Sequence, residues 1–292
     1  MQHLVDTNNF SDVQITQLLA DAKTFKTQYP SKLLKDKLLI TLFFEASTRT
    51  RSSFEVAAKR LGASVVHLDP SRSSAKKGET LKDTFANLCA MEPDGIIVRH
   101  SENETPQLLA NMQTTPVINA GAGNYAHPTQ AMLDLFTMIE HFGGDVKGKT
   151  IAIVGDIVSS RVASSGIRLM TRMGMNVLLV APEQFMPNSD LPQYKKLEDV
   201  MDKVDVIMSL RAQLERHETE LFEDYDDYAR QYCITKERMQ DRDILLLHPG
   251  PVMRNIDISD EMLEDPRCKV LTQVKNGVFM RMAILKLLLL DA

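Results

Sequence analysis

Short apolar runs alternate along this chain with stretches whose apolar residues recur at helical spacing. LLITLFF (38–44) reads as a buried strand, with further strands predicted at SVVHL (64–68), GIIVR (95–99) and PVIN (116–119). Helices are predicted over 11–28, from about 49 to 61, and near 80–91, 104–112 and 129–142. The first of these begins at Ser11, a good N-cap, and places Leu18, Leu19, Ala22 and Phe25 on one face. HFGGDVKGKT (141–150) is a Gly- and Lys-rich polar break, and a second series follows it. Its strands are predicted at TIAIVGD (150–156), NVLLVA (176–181), DVIMSL (205–210) and ILLLH (244–248), with helices between them. A final, mostly buried helix is predicted from Val274 to Leu290. Continuous apolar strands alternating with helices indicate the α/β class: two doubly wound parallel-sheet domains with helices on both faces, linked by interdomain helices. The expected domains are 1–140 and 141–274, with 275–292 packing back on the first.

Composition narrows the function. The 292 residues are 43% hydrophobic and 25% charged, enough to build sizeable cores. Net charge is −5, which supplies no basic excess for nucleic acid, so any anion site must come from locally placed Arg and Lys. Cys89, Cys233 and Cys268 are too widely spaced for a metal site or a disulfide framework and read as reduced thiols. The start, MQHLVDTNNF, has no signal-peptide pattern. The apolar tail at Leu287–Leu290 is too short for a membrane and is preceded by Lys286, so a cytoplasmic location is expected.

Doubly wound sheets bind ligands beyond the C-terminal ends of their strands, and the polar residues of interest fall there. EASTRTR (45–51) runs from a strand into a helix, where free N–H groups, three hydroxyls and the Arg49 fork favour an anion. Capping alone would also account for it, since Ser52 to Glu55 spells S-x-x-E. GNYAHPTQ (123–130) places His127 before Pro128, with Thr129 and Gln130 opening a helix; a His-Pro pair is commonly structural. Arg99 and His100 close the GIIVR strand, and SRSSAKKGET (71–80) is a polar loop. VGDIVSSR (154–161) has one glycine where a dinucleotide fingerprint needs three. Arg211, Gln213 and Arg216 follow DVIMSL, and HPGPVMR (248–254) makes a stiff turn after ILLL.

Taken in order, FFEASTRTRSSFE (43–55), KKGET (76–80), VRH (98–100), HPTQ (127–130) and HPGP (248–251) resemble the aspartate carbamoyltransferases, within the aspartate/ornithine carbamoyltransferase superfamily. The paired lysines before G-E-T and the H-P-x-P turn lean towards the aspartate branch. The ornithine branch would show an H-C-L-P turn and an S-M-G loop, where this chain has Pro249 and MSLRAQ (208–213). Position 250 is Gly where some relatives carry a bulkier residue.

The resemblance implies transfer of the carbamoyl group of carbamoyl phosphate to L-aspartate, without cofactor or metal. It gives Ser47, Thr48, Arg49, Thr50 and Arg99 to the phosphate, and Thr50, Arg99 and His127 to the carbonyl oxygen. Gln130 and the backbone carbonyls of Pro249 and Gly250 would orient the carbamoyl NH2, while Arg161, Arg211 and Gln213 would hold the aspartate carboxylates. Ser73 and Lys77 match a loop lent by a neighbouring subunit, which implies a homotrimer with shared sites. Glu45 would bridge to Arg161 and Arg216 as a closure latch. A regulatory chain or dihydroorotase as partner stays open. Transfer to another amino acid and a non-catalytic scaffold role are the alternatives.

Overall fold

In a computed structural model of the chain, residues 2–68, 79–213, 222 and 224–290 are described. They divide into two compact units: Met1–Leu133 with Val274–Ala292, and Asp134–Gln273. Both boundaries fall inside helices, the first of them ahead of the Gly-rich stretch at 141–150.

The first unit holds strands β1 (Leu38–Phe43), β2 (Ser64–Leu68), β3 (Gly95–His100) and β4 (Val117–Ala122), all parallel in the order β2-β1-β3-β4. Its helices include α1 (Asp12–Thr27), α2 (Thr48–Arg60), α3 (Leu81–Cys89) and α4 (Thr105–Ala110). Successive strand side chains point to opposite faces. Ile40, Leu42, Ile96, Val98 and Val117 therefore form one core with Phe85 and Leu88 of α3 and Leu109 of α4. The intervening Leu39, Ile97 and Ile118 are buried as well. Burying each such aliphatic side chain is worth about 1.5–3 kcal/mol, and a strand covered on both faces has no place for a polar alternation. Ser11 caps α1 as expected, its hydroxyl accepting from Gln14 N while the Gln14 side chain returns to Ser11 N.

Helix α5 (Pro128–Phe142) starts in the first unit and ends in the second. The second unit carries β5 (Thr150–Val154), β6 (Asn176–Val180), β7 (Gln193–Tyr194), β8 (Val206–Ser209) and β9 (Leu245–Leu247), in the parallel order β7-β6-β5-β8-β9. Helix α6 (Arg161–Arg172) joins β5 to β6, and α7 (Tyr225–Tyr232) with the short α8 (Lys236–Met239) lies between β8 and β9. One expectation fails here. No α-helix joins β6 to β8; two short 3-10 turns and the two-residue β7 fill that connection. Its sequence, broken by Pro182, Pro187 and Pro192 with Asn188, Ser189 and Asp190 between them, cannot sustain an apolar helical stripe. After α9 (Asp260–Leu263), the long α10 (Val270–Leu290) closes the chain, most of it within the first unit.

Candidate active site

The strand order of the first sheet reverses between β1 and β3, the switch point at which open α/β sheets bind ligands. Phe43 pairs with Arg99 in register, and Phe44 N donates to Arg99 O at 2.9 Å. That pairing sets Glu45, two residues ahead of the α2 N-cap, beside Arg99. The Arg99 guanidinium forms an ion pair with Glu45 (Nε to Oε2, 3.2 Å) and donates to Ala120 O at 3.3 Å.

Ser47 occupies the N-cap of α2, yet its hydroxyl caps no backbone N–H. Ser52 lies inside the helix, so the S-x-x-E spelling does not start it. The helix end thus keeps its dipole and the Ser47 hydroxyl for another acceptor. Thr50 is buried, and Arg49 is exposed with its pKa lowered by partial burial. Arg51, the other arginine of the motif, is engaged by His67 (Nη1 to Nε2, 2.8 Å) and Glu55 (3.6 Å).

His127 and Gln130 are both buried. A turn at the end of β4, closed by Ala122 N donating to Ala126 O (2.9 Å), aims the chain into α5. The His127 carbonyl then accepts from Gln130 N (3.0 Å) and Ala131 N (3.2 Å), with Pro128 at the first helical position. Behind both helix starts stands Arg281 of α10, 3% exposed. It donates to Ser53 Oγ (3.0 Å) and Thr129 Oγ1 (3.3 Å), and its guanidinium lies 5.0 Å from the Phe54 ring centre. One buried cation therefore braces α2, which carries Arg49, and α5, which starts directly after His127. Sequence reading passed over Arg281; an arginine amid VFMRMAIL (278–285) was the available signal. His100 serves the loop instead: its Nδ1 accepts from Glu102 N at 3.0 Å, and burial lowers its pKa.

The second sheet reverses between β5 and β8. Leu210 N donates to Val154 O at 2.8 Å, so the residues after both strands are held together. Gly155 has φ +118, and a Cβ there would lie 2.9 Å from Leu210 O and 3.0 Å from Tyr228 Oη. This glycine serves close packing, which explains why it stands alone. Ser160 caps α6 through Ala163 N (3.1 Å), and Arg161 opens that helix. Arg211, Gln213, Pro249 and Gly250 are all partly exposed. Gly250 has φ +71, a left-handed conformation that a bulkier residue would adopt only with strain. The first unit thus gathers Glu45, Ser47, Thr48, Arg49, Thr50, Arg99, His127 and Gln130, and the second gathers Arg161, Arg211, Gln213, Pro249 and Gly250. Ser73, Lys77 and Arg216 lie outside the described residues.

Two family models match the chain: the carbamoyl-phosphate-binding domain of aspartate/ornithine carbamoyltransferase over residues 2–140, and the aspartate/ornithine-binding domain over 147–288. The chain belongs to the aspartate/ornithine carbamoyltransferase family. Within it, the chain is 81% identical to the aspartate carbamoyltransferase catalytic subunit of Sulfurovum sp., covering 100% of this chain and 99% of the relative. The catalytic subunit of M. jannaschii aspartate transcarbamoylase superposes with a TM-score of 0.89 at 32% identity, covering 100% of this chain and 99% of that one. Aspartate transcarbamoylase from Trypanosoma cruzi, solved with N-(phosphonacetyl)-L-aspartic acid, gives a TM-score of 0.87 at 33% identity, covering 98% and 94%. Among the described residues no group of three or more His, Cys, Asp or Glu is placed to hold a metal, and no helix is long and apolar enough to cross a membrane. The three cysteines carry free thiols; burial pushes Cys233 up to about 11.

Proposed function

We infer that this chain transfers the carbamoyl group of carbamoyl phosphate to the amino group of L-aspartate, giving N-carbamoyl-L-aspartate and phosphate. The observation that carries this is the anion-ready start of α2, with Ser47 uncapping and Arg49 exposed, beside Arg99 at the switch point of a carbamoyltransferase sheet.

The residues suit a reaction in which the substrate brings its own leaving group. The aspartate amine attacks the carbamoyl carbon, and the carbonyl π pair moves onto oxygen. The C–O bond to phosphate then breaks as the carbonyl re-forms, and the departing phosphate takes the amine proton. Ser47, Thr48, Arg49, Thr50 and Arg99 hold the phosphate. Thr50, Arg99 and His127 donate to the oxyanion, where each donor is worth about 3–4 kcal/mol of barrier. Gln130 and the Pro249 and Gly250 carbonyls orient the NH2, while Arg161, Arg211 and Gln213 hold the two carboxylates. What remains is positioning.

The same reading assigns Ser73 and Lys77 to a neighbouring subunit's site, so the proposed active unit is a cyclic homotrimer, in the cytoplasm. A regulatory chain or dihydroorotase is a partner to be sought. Purified chain given carbon-13 carbamoyl phosphate with either aspartate or ornithine tests the reaction. Labelled N-carbamoyl-aspartate, with no citrulline, is expected; citrulline instead, or phosphate release without a carbamoylated product, refutes it.

A further inference from the structure

Asp257 is 1% exposed and was passed over in the sequence. Its carboxylate gathers three donors from two segments of the second unit. Oδ1 accepts from Ala212 N at 3.1 Å, and Oδ2 accepts from Met253 N at 2.8 Å and meets His248 Nε2 at 3.1 Å. The proton on that imidazole can be placed. Gly250 N donates to His248 Nδ1 at 2.8 Å, and a backbone N–H can only donate. Nδ1 is therefore bare, Nε2 carries the hydrogen, and His248 donates to Asp257.

The network continues behind the histidine. His248 N donates to Gln273 Oε1 at 2.9 Å, and Gln273 Nε2 donates to Asp134 Oδ1 at 2.8 Å. Each of these residues is buried. A buried ionic network adds little stability over well-packed apolar residues, but it can fix backbone positions closely. What it fixes here is specific. Ala212 is the residue between Arg211 and Gln213, and Gly250 is one of the two residues whose carbonyls are assigned above to the carbamoyl NH2.

We propose that Asp257 is a positioning residue for the acceptor half of the reaction. Through Ala212 N–H it sets the splay of the Arg211 and Gln213 side chains that take the aspartate carboxylates. Through His248 it sets the turn at Pro249–Gly250. The inference rests on the roles proposed for those four residues, and adds one carboxylate that holds both segments in register.

Asp257→Asn keeps the size but turns an amide N–H towards one of the three donors. The expected result is a rise in the KM for aspartate of roughly tenfold or more, with the Kd for carbamoyl phosphate unchanged. In an Arg211→Ala background the same substitution should raise that KM much less, because it acts through Arg211. His248→Asn keeps an acceptor near Gly250 N but removes the donor to Asp257. It should move the aspartate KM in the same direction, and it serves if Asp257→Asn does not fold. A folded Asp257→Asn or His248→Asn enzyme with wild-type aspartate KM overturns the inference while leaving the reaction in place. If Arg211→Ala also leaves aspartate KM unaltered, the assignment of Arg211 fails, and the inference with it.

Discussion

Glu45 and Arg99 neutralise one another within the first unit, Oε2 to Nε at 3.2 Å, beside the helix start assigned to phosphate. In the proposed site the carboxylate thus competes with phosphate for the Arg99 guanidinium. A partly exposed pair is worth about 0.2–1 kcal/mol. Glu45→Gln should accordingly bind phosphate no more weakly, and up to about fivefold more tightly, by calorimetry. Turnover should nevertheless fall if Glu45 also has the task in closure that the resemblance implies for it. Weaker phosphate binding in the variant would show that Glu45 supports the site.

Arg211→Ala should raise the aspartate KM by about tenfold or more, since a charge-assisted contact to carboxylate is lost. Carbamoyl phosphate binding should be spared, because the residues assigned to it belong to the other unit. Equal loss of both affinities contradicts this division of labour.

The central strands were legible nearly to the residue because they are buried, so packing writes them as unbroken apolar runs: LLITLFF overruns β1 by one residue, and GIIVR is all but the last residue of β3. The edge strand β2 is partly exposed, yet SVVHL still matches it. The polar β6–β8 connection left no such trace. The candidate site stood out in the sequence for a different reason: an anion site at a strand end calls for Ser, Thr and Arg, and these residues cluster there. Arg281 and Asp257 were not legible, because their meaning lies in partners far away in sequence. Arg281 meets Ser53 and Thr129, and Asp257 meets Ala212. Only the fold supplies those distances.

The Asp265 carboxylate accepts from Arg267 Nε (2.8 Å) and Nη2 (2.9 Å), which with burial opposing holds its pKa down to about 2. Arg267 in turn donates to Gln240 O and Arg242 O, both at 2.7 Å, stapling the approach to β9. A folded pKa below the unfolded value contributes stability that is present above about pH 4 and lost as pH falls through about 2. Asp265→Asn should cost on the order of 1 kcal/mol in urea unfolding at pH 7, after allowance for solvent screening. The gap should close as pH drops towards 2. A gap that is constant with pH would assign the effect to packing.

The proposed sharing of sites between subunits makes a quantitative prediction. Arg49→Ala and Lys77→Ala chains, each nearly inactive alone, should complement when their subunits exchange. If a site draws Arg49 from one subunit and Lys77 from the next, random equal mixing restores about a quarter of the sites. Verified hybrids as inactive as their parents would place Lys77 in its own subunit's site or in none.

The proposed phosphate site depends most directly on Arg49. It is the exposed arginine of its motif, with Arg51 held by His67, and it sits in the first turn of α2 where an anion is favoured. Turnover and phosphate affinity of Arg49→Ala, measured on protein whose thermal unfolding matches the parent, decide the matter. The predicted result is a loss of about a hundredfold or more in kcat/KM, with phosphate binding strongly weakened. Near-normal turnover in that variant would contradict the assignment of the phosphate site.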